Sequence, residues 1–394
     1  MNLLKALALC AAVAACAAGR TTSSPPSGAQ VDAFVARAMA ATGAKGIAVA
    51  VIEDGRVVHV GAYGDRNAKG EPLEEHTVMY GASLTKAVFG YTVMQLAEEG
   101  KIDLDRSIAD YLPQPLPSYG DAQITRAYAR WSDLAGDERW RKLTPRILLN
   151  HASGFSNFGF LEPDGKLRFH FEPGARYAYS GDGLILLQFV IEKGLGLDLG
   201  AEMQRRVFDR FGMTRTSMMW RADFAANLAD GWKEDGAVEP HDERSRVRAA
   251  GSMDTTIADM ARFAAAYVSG AGLSPAARRE LTRPQLPITT RTQFPSLQPE
   301  LPPAERRPDL AAGLGVVVFE GPQGRGFYKG GHNDSTGNTW VCVERGKRCV
   351  VILANDVRAE AAFPAIVAKV LGETGVPWTW EYGDKAFWAP APRL

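Results

Sequence analysis

The chain has 394 residues, 46% hydrophobic and 23% charged, and its 45 basic and 45 acidic side chains cancel. That is enough apolar material for one large domain or two interleaved ones. The charge balance excludes the basic footprint of a nucleic-acid binder. Six scattered histidines, with no Cys-x-x-Cys or His-x-x-x-His pair, point to no metal site, and no glycine-rich phosphate loop points to a nucleotide cofactor.

Lys5 precedes an apolar run, Ala6 to Ala15, that is too short for a permanent membrane span and reads as an export signal over residues 1–18. Val13-Ala14-Ala15-Cys16 resembles the lipobox of bacterial lipoproteins, which implies lipidation of Cys16; cleavage after a small residue such as Ala18 is the alternative. Residues 19–30 are rich in Ser, Pro and Gly and read as a flexible tether. The expectation is an exported, periplasmic protein that touches the membrane through a lipid anchor if Cys16 is modified.

Val31, Phe34, Val35 and Met39 recur at helical spacing and open the folded part. Two strand-like runs follow, Gly46 to Glu53 and Arg56 to Tyr63, joined by Asp54-Gly55, a strong hairpin signal. From Ser83 to Gly100 the sequence reads as a helix that is apolar on several faces, as a central buried helix is. The middle, about 81–250, reads as mainly helical, with helices inside Leu143 to Phe155 and Gly183 to Gly196. Ser118 to Lys142 is expected to overhang whatever cleft the fold forms. Thr256 and Asp259 make a capping box for the next helix. Pro284 to Pro308 is too broken for regular elements and should wrap the surface. Strands return in Gly313 to Glu320, Gly326 to His332, and a hairpin across Gly346 that sets Cys342 opposite Cys349. An exported chain permits those two cysteines to bridge, as a structural disulfide. A helix carrying Phe363, Ile366, Val367, Val370 and Leu371 on one stripe closes the pattern, with Pro364 tolerable only in its first turn. The order predicts an α+β fold: an antiparallel sheet assembled from both ends of the chain, flanked by the terminal helices, with a helical insertion.

The chemistry centres on Ser83-Leu84-Thr85-Lys86. At i and i+3 on a helix, the two polar side chains share a face within reach of each other. A serine hydroxyl needs a neighbouring base to become a nucleophile, and a buried lysine loses its charge readily enough to be one. About one Ser-x-x-Lys occurs by chance in a chain of this size, so the motif needs partners. Tyr179-Ser180-Gly181, just before a helix, and Lys329-Gly330-Gly331, on a strand, supply them.

These three motifs, in this order, resemble the serine β-lactamase-related family of class C β-lactamases, D-stereospecific peptidases and carboxylesterases. Connecting text is similar too, as in "LLNHASGF" (Leu148 to Phe155) and "AGSMDTTIADMARF" (Ala250 to Phe263), and the likeness runs from about Val31 to Leu371. The resemblance implies the β-lactamase/transpeptidase-like fold over residues 31–385. It implies that Ser83 forms an acyl-enzyme while Lys86 and Tyr179 share the acid–base work, with Tyr177 as the rival tyrosine. Lys329 would favour tyrosinate and meet a substrate carboxylate, Gly331 would let substrate lie along the strand, and the backbone N–H groups of Ser83 and His332 would form the oxyanion hole. The side chains of His332 and His151 would be structural. No cofactor is implied.

Two departures bear on the substrate. Gly181 stands where the β-lactamases and peptidases carry an asparagine, and Gly330 replaces a threonine. Both weaken the β-lactam and peptide readings, whereas Lys329 suits a carboxylate-bearing substrate. The reading is therefore an esterase- or peptidase-like hydrolase of small ester, amide or peptide substrates, cell-wall fragments among them. The alternatives are a β-lactamase or D-Ala-D-Ala carboxypeptidase, and a non-turnover penicillin- or fragment-binding protein. An α/β-hydrolase is excluded, because "GFSNF" (Gly154 to Phe158) lacks the second glycine of the nucleophile elbow.

Overall fold

A computed structural model describes residues 25–390, so the expected export signal and Cys16 lie outside the described residues. In strand β1 (Gly46–Glu53), Ile47, Val49 and Val51 alternate with Ala48, Ala50 and Ile52, and all six are buried. A strand buried on both faces belongs in the middle of a covered sheet. β1 turns into β2 (Arg56–Gly64) through Asp54 and Gly55, both at positive φ as the tight hairpin turn requires. The other strands of the main sheet come late in the chain: β3 (Leu286–Pro287), β4 (Leu310–Ala312), β5 (Val317–Gly321), β6 (Gly324–His332), β7 (Gly337–Val343) and β8 (Arg348–Ala354). All pair antiparallel in one eight-stranded sheet of order β2-β1-β8-β7-β6-β5-β4-β3. Ile47 lies opposite Ala354, so the first strand is locked to the last.

Each face of the sheet has its own apolar layer. Helices α1 (Gly28–Thr42) and, near the C-terminus, Phe363–Leu371 cover one face with Val31, Phe34, Val35, Phe363, Ile366 and Val367. Against the other lie α2 (Leu84–Glu98) and the helix Ile257–Ser269. Every residue of α2 from Leu84 to Leu96 is buried, so it is the all-round apolar central helix that its sequence predicts. Cys342 and Cys349 are directly opposed in the β7–β8 hairpin and joined as a disulfide. No helix among the described residues is long and apolar enough to cross a membrane.

Five expectations change. The expected tether is shorter, because α1 starts at Gly28 and Ser27 caps it in a reciprocal bond with Gln30. The capping box before Ile257–Ser269 is half made: Thr256 accepts from the Asp259 N–H, but the Asp259 carboxylate is drawn to Thr216 and the Arg215 N–H instead. Between residues 101 and 180 the longest helix is the six-residue Ala122–Ala127; prolines and glycines break the apolar runs into 3₁₀ turns. Gly313 to Glu320 is a turn plus β5, not one strand.

The fifth change concerns the cleft. Residues 118–142 do not overhang it. Trp131 and Trp140 are buried, and Tyr119, Tyr128 and Trp131 surround Phe189, so aromatic packing pulls the segment into the helical layer. Its place is taken by the Pro-rich stretch 284–308, which supplies edge strand β3 and sends Gln293 and Phe294 into the cleft.

Candidate active site

Ser83 immediately precedes α2, after a left-handed bend at Ala82 (φ 46°), a conformation that L-residues seldom adopt. A serine at this position usually spends its hydroxyl on the first N–H groups of the helix. Ser83 does not. Lys86 Nζ lies 2.9 Å from its Oγ, and the Tyr179 hydroxyl donates to the same oxygen at 2.8 Å. Lys86 Nζ also donates to the Ala250 carbonyl at 2.5 Å. Tyr179 comes from the loop before α3 (Gly181–Phe189), whose start is capped by the Ser180 hydroxyl.

Lys86 is 2% exposed, and among the described residues no carboxylate lies within ion-pair distance of it. Burial therefore drives its pKa well below the usual lysine value; the charge of Lys329 adds to this, and that of Glu381 opposes it. Lys329 is buried too, its Nζ 2.7 Å from the Gly330 carbonyl, and burial brings it down to about 8 against the opposing charge of Glu381. Lys86 and Lys329 lie 4.8 and 5.2 Å from the Tyr179 ring centre.

Lys329 is placed to favour tyrosinate, but burial of the phenol works the other way. Burial raises the Tyr179 pKa above the ordinary phenol value, and the bond to Ser83 only partly offsets it. Burial thus pushes the phenol toward keeping its proton and the lysine toward giving one up. His151 stacks on Tyr179 at 4.4 Å and accepts from the Ser180 N–H at 3.1 Å, while burial and the two lysines hold it neutral. Tyr177 bonds Gln293 at 3.0 Å, packs on Trp380, and does not reach Ser83.

The β6 backbone closes against α2. A Cβ on Gly331 would stand 3.0 Å from the Ser83 nitrogen and 2.9 Å from that of Leu84, so only glycine fits there. The Ser83 N–H has no acceptor among the described residues. It borders the β6 backbone at Gly331, the residue before His332. The His332 imidazole bonds Glu360 at 2.9 Å. Burial opposes its positive form, but that hydrogen bond and charge prevail and raise its pKa. Lys385 completes the chain at 2.6 Å from Glu360.

At Gly181 the aromatic ring of Phe158 fills the space: a Cβ there would lie 2.3 Å from it. The Gly181 N–H donates to Asn157 Oδ1 at 3.0 Å. Together these residues line a cleft of about 1110 Å³ whose walls include Phe158, Phe160 and Phe294. Sequence reasoning missed Glu360, Glu381, Lys385, Asn157 and the three phenylalanines. Only the aromatic cluster Trp378 to Tyr382 hinted that the chain beyond residue 371 folds back. Among the described residues no group of three His, Cys, Asp or Glu is arranged to hold a metal.

This fold and motif set have relatives. The chain belongs to the Beta-lactamase family, whose model matches residues 31–371. It is 28% identical over 203 residues to a lovastatin esterase of Penicillium rubens, covering 45% of this chain and 49% of that protein. The chain spans about half the length of the curated relatives it matches. Among solved structures, an octameric penicillin-binding protein homologue from Pyrococcus abyssi superposes with TM-score 0.67 at 19% identity, covering 88% of this chain and 78% of that one. D-alanine carboxypeptidase AmpC from Burkholderia cenocepacia gives 0.66, also at 19%, covering 87% and 97%. At these identities the superpositions establish the β-lactamase/transpeptidase-like fold alone.

Because Phe158 occupies the space beside residue 181, Gly181→Asn should destabilise the protein by about 1–3 kcal/mol through overpacking. Phe158→Ala in the same chain should recover most of that loss in chemical denaturation. If Gly181→Asn alone is neutral, the ring does not close this space.

Proposed function

We propose that the protein is a serine hydrolase that cleaves uncharged esters, and more slowly amides, through an acyl-enzyme on Ser83. The observation that carries this reading is the Ser83 hydroxyl held within hydrogen-bond distance of both the buried Lys86 amine and the buried Tyr179 hydroxyl. As Ser83 Oγ bonds to the substrate carbonyl carbon, Lys86 takes its proton and the carbonyl π electrons move to oxygen. The Ser83 and His332 amides stabilise that oxyanion. On collapse, the carbonyl re-forms and the bond to the leaving group breaks. Tyr179 gives the leaving group a proton and is reprotonated from Lys86 through the hydrogen-bond network. Water then attacks the acyl-enzyme with the same groups in reverse order, releasing acid and restoring Ser83.

Three phenylalanines on the cleft wall suit an apolar acyl group. Phe158 stands where an amide-recognising asparagine would project, which ranks ester above β-lactam or peptide. The esterase named among the relatives supports the same order. Lys329 favours the second reading, a carboxypeptidase or β-lactamase acting on carboxylate-bearing substrates; slow acylation without turnover is the third. Export remains part of the proposal, supported by the disulfide, which belongs to an oxidising compartment.

Hydrolysis of p-nitrophenyl esters, a chromogenic cephalosporin and a D-Ala-D-Ala peptide separates these readings. Ester turnover should dominate and vanish in Ser83→Ala. Tyr179→Phe should cost about 100-fold or more in kcat, whereas Tyr177→Phe should keep most activity. Wild type and Ser83→Ala behaving alike on every substrate would refute the hydrolase, and sensitivity at Tyr177 instead of Tyr179 would refute the assignment. For the anchor, labelled palmitate should be incorporated in the producing cell and lost in Cys16→Ala; label that survives the substitution counts against it.

A further inference from the structure

Glu381 lies in the short helix Trp378–Tyr382, beyond residue 371 where the family match ends. It is 5% exposed, yet it lines the same cleft as Ser83 and Lys329. Among the described residues the Tyr328 hydroxyl, 3.3 Å from Oε2, is its one side-chain donor; Oε1 has none, and no lysine or arginine comes within ion-pair distance. Oε1 is thus left open to the cleft, where a carboxylate held on an otherwise buried side chain can act on what enters.

Its position is tied to the third motif. On β6, Tyr328 and Gly330 present the same face, and a Cβ on Gly330 would lie 2.0 Å from Glu381 Oε1. Any side chain at 330 would displace the carboxylate. Glycine in place of the motif threonine therefore makes room for an acid brought in from the end of the chain. That acid acts on the cations around it: its charge works against the loss of a proton from Lys329, Lys86 and His332.

We infer that Glu381 is a specificity-determining residue that keeps carboxylate-bearing substrates out of the Lys329 side of the cleft and leaves it to uncharged acyl groups. The inference deepens the acyl-enzyme reading and rests on it. A substrate carboxylate entering this side of the cleft meets the Glu381 carboxylate as well as Lys329, and like charges in a poorly hydrated site repel strongly. An uncharged acyl chain meets a cation and an anion that offset each other.

The test compares p-nitrophenyl butyrate with mono-p-nitrophenyl succinate, which adds one carboxylate to an acyl chain of similar size. In E381Q the succinate-to-butyrate ratio of kcat/KM should rise by about tenfold or more. The pH–rate profile for butyrate should also move to lower pH, because without the anion both lysines give up their protons more easily. A merely structural glutamate would move neither readout. An unchanged or lower ratio overturns the inference. Should E381Q prove unstable, Glu381→Ala combined with Gly330→Ser refills the space and repeats the comparison. Calorimetric binding of the two esters to Ser83→Ala protein, with and without E381Q, reads the same discrimination without turnover. If that shift appears while no enzyme form turns over either ester, the hydrolase reading fails and Glu381 keeps its role.

Discussion

The site depends on one costly arrangement: a lysine buried beside a serine with no carboxylate to neutralise it. In the proposed mechanism desolvation of Lys86 makes it a base, and the groups around it preserve that desolvation. The helix that carries it is apolar on all sides, the Ala250 carbonyl fixes its amine, and the Tyr179 ring, itself stacked on His151, lies over it. The β6 backbone seals the remaining side by running against the start of α2, which a side chain at residue 331 would prevent. A lone buried amine lowers stability. The large two-faced sheet and its two apolar layers provide the surplus that tolerates it.

Substrate choice rests on a different set of residues. Phe158 and Glu381 each stand in space that a glycine leaves open, at 181 and 330, so the two departures from the family motifs are filled positions. One filler is apolar and the other anionic. Together they replace an amide and a hydroxyl that would hold a peptide-like substrate, while the machinery around Ser83 is unchanged. This separation of reaction from substrate is how one fold hosts several activities.

Much of the fold was legible because its signals are local. Asp54-Gly55 marked the first hairpin, and the spacing across Gly346 set Cys342 against Cys349. Ser83, Lys86 and Tyr179 could be named from motifs, and the structure brings the Lys86 amine and the Tyr179 hydroxyl each within 3 Å of Ser83 Oγ. What stayed hidden depends on where distant segments return. Glu381 and Lys385 reach the cleft only because the chain folds back after residue 371, and Phe294 only because a Pro-rich stretch turns inward. The surroundings of Tyr179 have the same origin: Lys329 was visible in the sequence, but the burial that opposes it was not. Residues 118–142 misled because a long polar-looking connection concealed the tryptophans that pack it.

The account stands or falls on the protonation of Lys86. NMR titration of side-chain-labelled lysines, with Lys86→Met to assign the resonance, measures it directly. The account predicts that Lys86 titrates well below the solvent-exposed lysines and is largely neutral at the pH where the enzyme works. A Lys86 signal that titrates together with the surface lysines would contradict it, because a permanently charged lysine cannot take the proton from Ser83.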